Sequence, residues 1–134
     1  MFDPRLFSDL RGATVCVAPL LRRTPTMPTP KPGKPTRGSK TGRPIMAALD
    51  LLGRRWALRI LWELRSETLT FRAIQDACEG ISPTVLNTRL RELKEVLIVE
   101  LTDDGYRLTS EGRRLGKLLL PLDRWSKAWA KKLK

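Results

Sequence analysis

Residues 81–97, ISPTVLNTRLRELKEVL, are the stretch that decides the fold of this chain. The hydroxyl of Ser82 can accept a hydrogen bond from a free N–H group at a helix start, and the ring of Pro83 fixes a backbone angle suited to the first helical position. A helix is therefore expected to begin here. At about 100° per residue, four leucines fall on one face of this helix. They are Leu86, Leu90, Leu93 and Leu97.

The opposite face of this helix carries short polar side chains and an arginine. Its members are Thr84, Asn87, Thr88, Arg91 and Glu95. Exposed helices more often carry a mixture of Lys and Glu, whereas Thr, Asn and Arg can hydrogen-bond to base edges in the major groove of DNA. The composition alone also fits an ordinary solvated face, so the neighbouring elements must decide between the two interpretations.

The segment before this helix predicts a second, shorter helix. Residues 71–78 place Phe71, Ile74 and Cys78 on one face, and a tight turn follows at Gly80. Two short helices joined by a glycine turn, the second with a polar outer face, predict a helix-turn-helix. Cys78 is interpreted as a small buried hydrophobic residue, with a redox role as the alternative.

The surrounding elements predict a winged helix-turn-helix, a mostly α fold with a small β-hairpin wing. Strand composition and the Asp-Asp-Gly turn signal indicate the wing. The expected ranges are 45–53 and 56–65 for two apolar helices, 69–71 for a very short strand, and 97–101 and 106–108 for the hairpin. Gly53 suits a left-handed position after the first helix. In the second, Trp56, Ile60, Leu61 and Leu64 lie roughly on one face, and core or dimer packing is favoured over a ligand pocket for Trp56 and Trp62.

The last helix is expected to start at a cap formed by Thr109 or Ser110 and to bend at Pro121. It carries more large apolar residues than a domain of about 90 residues can cover by itself. These are Leu115, Leu118, Leu119, Leu122, Trp125 and Trp129. Such a helix most often meets its own copy in a twofold dimer.

The charge of the chain favours a polyanionic partner. Lys and Arg number 26 against 14 Asp and Glu, a net charge of +12. Residues 1–44 contribute nine and two of these, or +7, and residues 45–134 contribute seventeen and twelve, or +5. The excess supports nucleic-acid binding through phosphate neutralisation, although a basic tail on an ordinary domain is the alternative.

Several function classes are disfavoured by composition. The chain has no histidine, and Cys16 and Cys78 are far apart in sequence, so no metal site, cofactor or catalytic triad is expected, and the protein is not expected to be an enzyme. No apolar run reaches the roughly 18 residues that a membrane span needs. A cytoplasmic protein with reduced thiols is expected.

Residues 1–43 are expected to be a basic, Pro-rich, disordered extension of a domain that spans residues 44–134. Residues 1–22 show no convincing period, and residues 23–44 are rich in Pro, Thr, Gly and Lys/Arg. The extension is either a passive tail or a basic arm that follows phosphates. A third interpretation is an over-long start, with Met27 or Met46 as the true initiator.

Four motifs resemble the HxlR-type family, which are bacterial winged helix-turn-helix transcriptional regulators related to the MarR group. They are ALDLLGRRW at 48–56, LTFR at 69–72, GISPTVLNTRLREL at 80–93 and LTSEG at 108–112. The similarity covers residues 44–130, in order and at the family's spacing. It implies a homodimer, built from the first and last helices, on a pseudo-palindromic operator of double-stranded DNA. Repression is favoured over activation.

The resemblance also implies roles for individual residues. The family's recognition helix falls on Ser82 to Glu95, with Thr84, Asn87, Thr88 and Arg91 at the bases. Arg89 would contact phosphate or brace the helix-turn-helix. Arg107 would be the DNA-binding residue of the wing. Dimerisation is expected at Leu118, Leu122, Trp125 and Trp129.

Two features depart from the family pattern. Many members carry a sensing cysteine before the proline that opens the first helix, whereas Arg43 stands here before Pro44. The wing is short, and Asp103 and Asp104 at its tip would repel phosphate, so the basic N-terminal arm is a candidate to replace its contacts.

Two questions stay open at this stage. A small-molecule effector, of unknown identity, could bind near Trp56, Trp62 and Trp125. The alternative function is a winged-helix protein-interaction or dimerisation module without sequence-specific DNA contact. Such a module would not need the polar Thr/Asn/Arg face.

Overall fold

Five helices and one two-stranded hairpin make up the part of the chain that the computed structural model describes, residues 28–134. The predictions made for residues 1–27 lie outside this range. The elements are α1 (Pro44–Leu52), α2 (Ala57–Leu64), α3 (Phe71–Ala77), α4 (Pro83–Glu95), β1 (Val99–Thr102), β2 (Gly105–Leu108) and α5 (Ser110–Lys132). This is the winged helix-turn-helix order expected from the sequence.

Side-chain hydroxyls cap three of the helices as their sequences indicate. Thr70 accepts a hydrogen bond from the amide of Ala73 at the start of α3, and Ser82 accepts one from Val85 at the start of α4. Thr109 accepts one from Gly112 at the start of α5. Each cap satisfies an N–H group that has no partner within its own helix.

The turn of the helix-turn-helix depends on two left-handed residues. Glu79 has a φ of 48° and Gly80 a φ of 99°. Gly80 adopts this conformation without the steric penalty of a Cβ atom. The reversal brings Ile81 into the core, so that α3 and α4 share one set of buried side chains.

The wing is a short antiparallel hairpin in which Val99 faces Leu108 and Thr102 faces Gly105. The expected third strand is reduced to a single bridge, in which Leu69 exchanges two backbone hydrogen bonds with Tyr106. A Cβ atom at Gly105 would lie 2.6 Å from the carbonyl oxygen of Leu69, so the close approach requires glycine.

The core forms where α2, α3 and α4 meet, and its centre is aliphatic. The least exposed of its large side chains are Ile60, Leu61, Ile74, Leu86, Leu90 and Leu93. Cys78 is 1% exposed among them, as expected of a buried hydrophobic residue. Burial of such side chains is worth about 1.5–3 kcal/mol each, which makes this cluster the main source of stability for the helix-turn-helix.

Three local expectations from the sequence are corrected by the structure. Gly53 is not left-handed, because its φ is −79°. Trp56 precedes α2 rather than lying in its first turn, and its φ of 77° reverses the chain within the connection between α1 and α2. Leu97 does not share the buried face of α4. It lies beyond the helix end with a φ of 64° and is 70% exposed.

The reason for the position of Leu97 is the hydrogen-bonding pattern that ends α4. The amide of Ile98 donates to the carbonyl oxygen of Leu93, and the amide of Leu97 donates to that of Lys94. These two bonds form a Schellman motif, which requires a left-handed residue at the position of Leu97. Leu97 therefore turns outward, while Ile98 packs against the core.

The expectation of a disordered linker is also corrected for its described part, residues 28–43. These residues form a turn in which Thr36 and Ser39 exchange backbone hydrogen bonds and the amide of Gly33 donates to the carbonyl oxygen of Gly42. Positive φ angles at Gly33, Gly38 and Gly42 permit the reversal. Backbone hydrogen bonds, rather than apolar burial, hold this segment, which explains why its composition did not predict it.

Within the described residues, no helix has the length and apolarity required to cross a membrane. The bend expected at Pro121 falls within a helix that continues unbroken from Ser110 to Lys132.

Candidate nucleic-acid interface

The outer face of α4 presents polar side chains to solvent. Thr84, Asn87 and Arg91 are exposed, as is Ser82 just before the helix. The guanidinium of Arg91 lies 3.9 Å from the carboxylate of Glu95 one turn later, and both side chains are substantially solvated. A surface ion pair of this kind is worth little, so Arg91 can exchange it for a base or a phosphate at small cost.

Thr88 is less available than its neighbours. It is partly buried, and its hydroxyl donates a 3.0 Å hydrogen bond to the carbonyl oxygen of Thr84. The hydroxyl still has lone pairs that can accept a bond from a base edge. Its donor capacity is committed to the helix, which leaves Asn87 and Arg91 as the principal donors of the outer face.

Arg89 points to the flank of α4, where it makes two contacts within the protein. Its Nε donates a 2.8 Å hydrogen bond to the carbonyl oxygen of Arg55, and its Nη1 pairs with the carboxylate of Glu92. Its side chain is 20% exposed. Of the two roles expected for this residue, these contacts correspond to bracing the helix-turn-helix.

Glu92 is a functional-site residue that the sequence interpretation missed. Its side chain is 2% exposed, and its two carboxylate oxygens pair with Arg54 at 2.5 Å and with Arg89. Two guanidinium partners compensate for the desolvation of the carboxylate, which would otherwise be prohibitive. The pairs fix the orientation of α4 relative to the turn between α1 and α2.

A sequence signal for Glu92 did exist. On a helical wheel it lies on the same flank of α4 as Val85 and Val96, both of which pack against the core. An acidic residue among apolar neighbours on one flank of a helix indicates a buried carboxylate, which needs a cationic partner.

Arg107 lies on β2, the second strand of the wing, and is about half exposed. Its Nε lies 3.2 Å from a carboxylate oxygen of Glu100 on the facing strand. Asp103 and Asp104 are exposed at the tip of the hairpin, as expected from the sequence. The wing therefore offers one partly neutralised cation and two anions to a DNA backbone, a weak phosphate-binding surface.

The far end of α5 carries an exposed apolar stripe. Leu118, Leu122, Trp125 and Trp129 are 68%, 49%, 57% and 49% exposed, and the rings of the two tryptophans stack with centroids 5.3 Å apart. The positions alternate in steps of four and three residues, the spacing of a coiled-coil seam. Ile45 and Leu49 on α1 are also exposed, at 60% and 56%.

The thiol of Cys78 is poorly suited to sensing. Burial raises the pKa of the Cys78 thiol, and the nearby Arg59 guanidinium opposes part of that rise. A raised pKa lowers the fraction of reactive thiolate at neutral pH. Arg43, which stands directly before Pro44 at the start of α1, is exposed.

A cleft of about 310 Å³ lies between α2 and α5. Trp62 lines it together with Leu58, Leu119 and Leu122. Of the three tryptophans considered for an effector pocket, Trp62 contributes to this cleft, whereas Trp56 and Trp125 do not.

Comparison with known proteins adds a family and several relatives. Residues 51–134 match the family model for HxlR-like helix-turn-helix proteins. An uncharacterized HTH-type transcriptional regulator of Bacillus subtilis (strain 168), YvaP, is 29% identical over 89 residues, which cover 61% of this chain and 82% of YvaP.

Solved structures agree with this similarity. Quinone-bound YodB from B. subtilis is 30% identical with a TM-score of 0.60, over 63% of this chain and 97% of YodB. A possible HxlR family transcriptional factor from Thermoplasma volcanium GSS1 is 28% identical with a TM-score of 0.58, over 63% of this chain and 82% of its own. A MarR family regulator from Enterococcus faecalis V583 is 30% identical, with a TM-score of 0.58, over 66% of this chain and 87% of its own.

Proposed function

The chain belongs to the HxlR-like helix-turn-helix family of transcriptional regulators, and from this premise we propose that it binds a specific operator in double-stranded DNA as a homodimer. The operator is pseudo-palindromic, because a twofold protein presents the same surface to each half-site. Binding represses transcription, and the protein acts in the cytoplasm on the bacterial nucleoid.

The observation that carries this proposal is the outer face of α4. Asn87 and Arg91 are exposed one turn apart on the second helix of the helix-turn-helix. Asn can bond bidentately to adenine and Arg to guanine, so each side chain can distinguish one base pair from the others. Thr84 adds a hydroxyl on the same face, and Ser82 lies at the helix start, where the backbone N–H groups suit a phosphate.

Dimerisation through α5 follows from its exposed apolar stripe. Two stacked tryptophans and two leucines at coiled-coil spacing would be an aggregation hazard on a monomer. Pairing α5 with the α5 of a second copy removes this surface from water, and the twofold axis gives the dimer two copies of α4. Half-sites about 34 Å apart, one turn of DNA, suit this arrangement.

A small-molecule effector is expected to bind in the cleft beside Trp62. Its position between α2 and α5 would couple ligand binding to the angle at which α5 leaves the helix-turn-helix. Cys78 is buried and Arg43 replaces the family's cysteine, so control by a reversible ligand is favoured over thiol modification at these positions.

The test is selection of binding sites from random duplexes, followed by measurement of two variants on the recovered site. Asn87→Ala and Arg91→Ala should each weaken binding by about 1–3 kcal/mol, or roughly five- to 150-fold. Arg114→Ala, on the exposed surface of α5, is the matched control and should leave affinity unchanged. Failure to recover any preferred site, or equal affinity of the two variants and the unaltered protein for the recovered site, would instead support an interaction module.

A further inference from the structure

Residues 31–43, hereafter the basic loop, carry five cations and no acidic residue. The cations are Lys31, Lys34, Arg37, Lys40 and Arg43, and all five are exposed. Lys31, Lys34, Lys40 and Arg43 form no ion pair with any carboxylate among the described residues. Positive charge concentrated in a segment of this length, with four cations that no carboxylate of the described residues neutralises, is the pattern of a phosphate-binding surface.

The basic loop is held in a fixed shape. Besides the Thr36–Ser39 bridge, the hydroxyl of Ser39 accepts hydrogen bonds from the amides of Gly42 and Arg43, at 3.1 and 3.2 Å. A loop already ordered in the free protein loses less conformational entropy on binding than a free tail would lose.

Two contacts attach the basic loop and the residues just before it to α1 and the connection that follows α1. The Nη2 of Arg54 donates a 2.6 Å hydrogen bond to the carbonyl oxygen of Pro28, and the amide of Arg37 donates a 3.3 Å bond to the carboxylate of Asp50. Arg54 also pairs with the buried Glu92 of α4. One arginine therefore connects the N-terminal segment to the recognition helix.

These contacts place the basic loop beside the outer face of α4. A groove of about 740 Å³ separates the two, and Lys31 and Lys34 form one wall while Arg91 and Glu95 form the other. Cations of the basic loop and of α4 therefore line the same groove.

We propose that the basic loop is a second DNA-binding element that contacts the phosphate backbone beside the site read by α4. It replaces the backbone contacts that the short, acidic-tipped wing is poorly suited to make. The inference rests on the proposed function in that α4 must face DNA. It adds a sequence-independent contribution to affinity, because phosphate contacts position a protein without reading bases.

The test uses the full chain and two duplexes of 30 base pairs, one of mixed sequence and one carrying the selected site. Lys31→Gln, Lys34→Gln and Lys40→Gln are combined in one variant, and the same positions are changed to Arg in another. A control variant combines Lys131→Gln, Lys132→Gln and Lys134→Gln at the end of α5. It removes the same charge outside the surface formed by the basic loop and α4. Affinity is measured by fluorescence anisotropy from 50 to 300 mM KCl.

Three neutralised phosphates contribute about 2.7 to the slope of log K against log salt for each bound protomer. On both duplexes, the slope of the glutamine variant should be smaller by up to that amount, and its affinity at 100 mM KCl should be at least about tenfold lower. The arginine variant should retain the slope, and so should the control.

The proposal is overturned if the glutamine variant keeps the slope of the unaltered protein, or if the control loses as much. Failure of the proposed function is a separate outcome, because it would appear as equal affinity for the two duplexes in the unaltered protein. The mixed-sequence duplex reports on the basic loop in either case.

Discussion

The replacement Glu92→Ala tests whether the buried carboxylate organises the recognition helix. It leaves the guanidinium groups of Arg54 and Arg89 without their common partner, in side chains that are only 10% and 20% exposed. Removing one member of a buried ion pair costs about 3–5 kcal/mol. Because Arg89 is partly solvated and keeps its bond to the Arg55 carbonyl oxygen, the lower end of about 3 kcal/mol is expected.

Urea unfolding followed by tryptophan fluorescence measures this loss in the free energy of unfolding. The protein concentration is held fixed, because the stability of a dimer depends on protein concentration. The matched control is Glu95→Ala on the same helix, which removes an exposed pair with Arg91 at 3.9 Å and should change stability by less than about 1 kcal/mol. In thermal unfolding, the Glu92 variant should melt at least about 10 °C lower. If Glu92→Ala lowers the free energy of unfolding no more than Glu95→Ala does, the proposed bracing role is refuted.

The remaining predictions concern the surface of α5 and the buried thiol. Leu122→Asp together with Trp125→Asp should convert a dimer into monomers in sedimentation experiments, because the two aspartates place charge on the apolar stripe. The control Leu101→Asp, on the exposed wing, should leave the dimer intact. If the unaltered protein sediments as a monomer, the proposed dimer is wrong. In a Cys16→Ser background, the thiol of Cys78 should react with a disulfide reagent at pH 8 at least about tenfold faster in denaturant than in the folded protein. The reason is that burial raises the pKa of the thiol and blocks access of the reagent. Equal rates in the two states would contradict the burial of Cys78.

Local signals in the sequence predicted most elements because their causes are local. The hydroxyl caps at Ser82 and Thr109 act on amides three residues ahead, and the glycine turn at Gly80 needs only its own backbone freedom. The polar outer face of α4 was likewise visible from helical spacing. The order of elements then predicted the winged helix-turn-helix, and the family similarity supports it.

The predictions that failed depended on partners distant in sequence or on competition at a helix end. Leu97 has the right spacing for the core, yet the Schellman bonds that end α4 turn it outward. Trp56 fits a helical pattern, yet the connection from α1 requires a left-handed residue there. Periodicity describes a continuing helix and says nothing about where backbone hydrogen bonds stop.

The sequence by itself determined the helices, the hairpin and the residues that face outward on α4, because spacing and capping act within a few residues. Only the tertiary structure decided that Glu92 is buried between Arg54 and Arg89, and that residues 28–43 are attached beside the recognition helix. Both depend on contacts of Arg54 with groups 26 or more residues away, the carbonyl oxygen of Pro28 and the carboxylate of Glu92. Folding brings these groups together, and no local pattern of residues encodes their meeting.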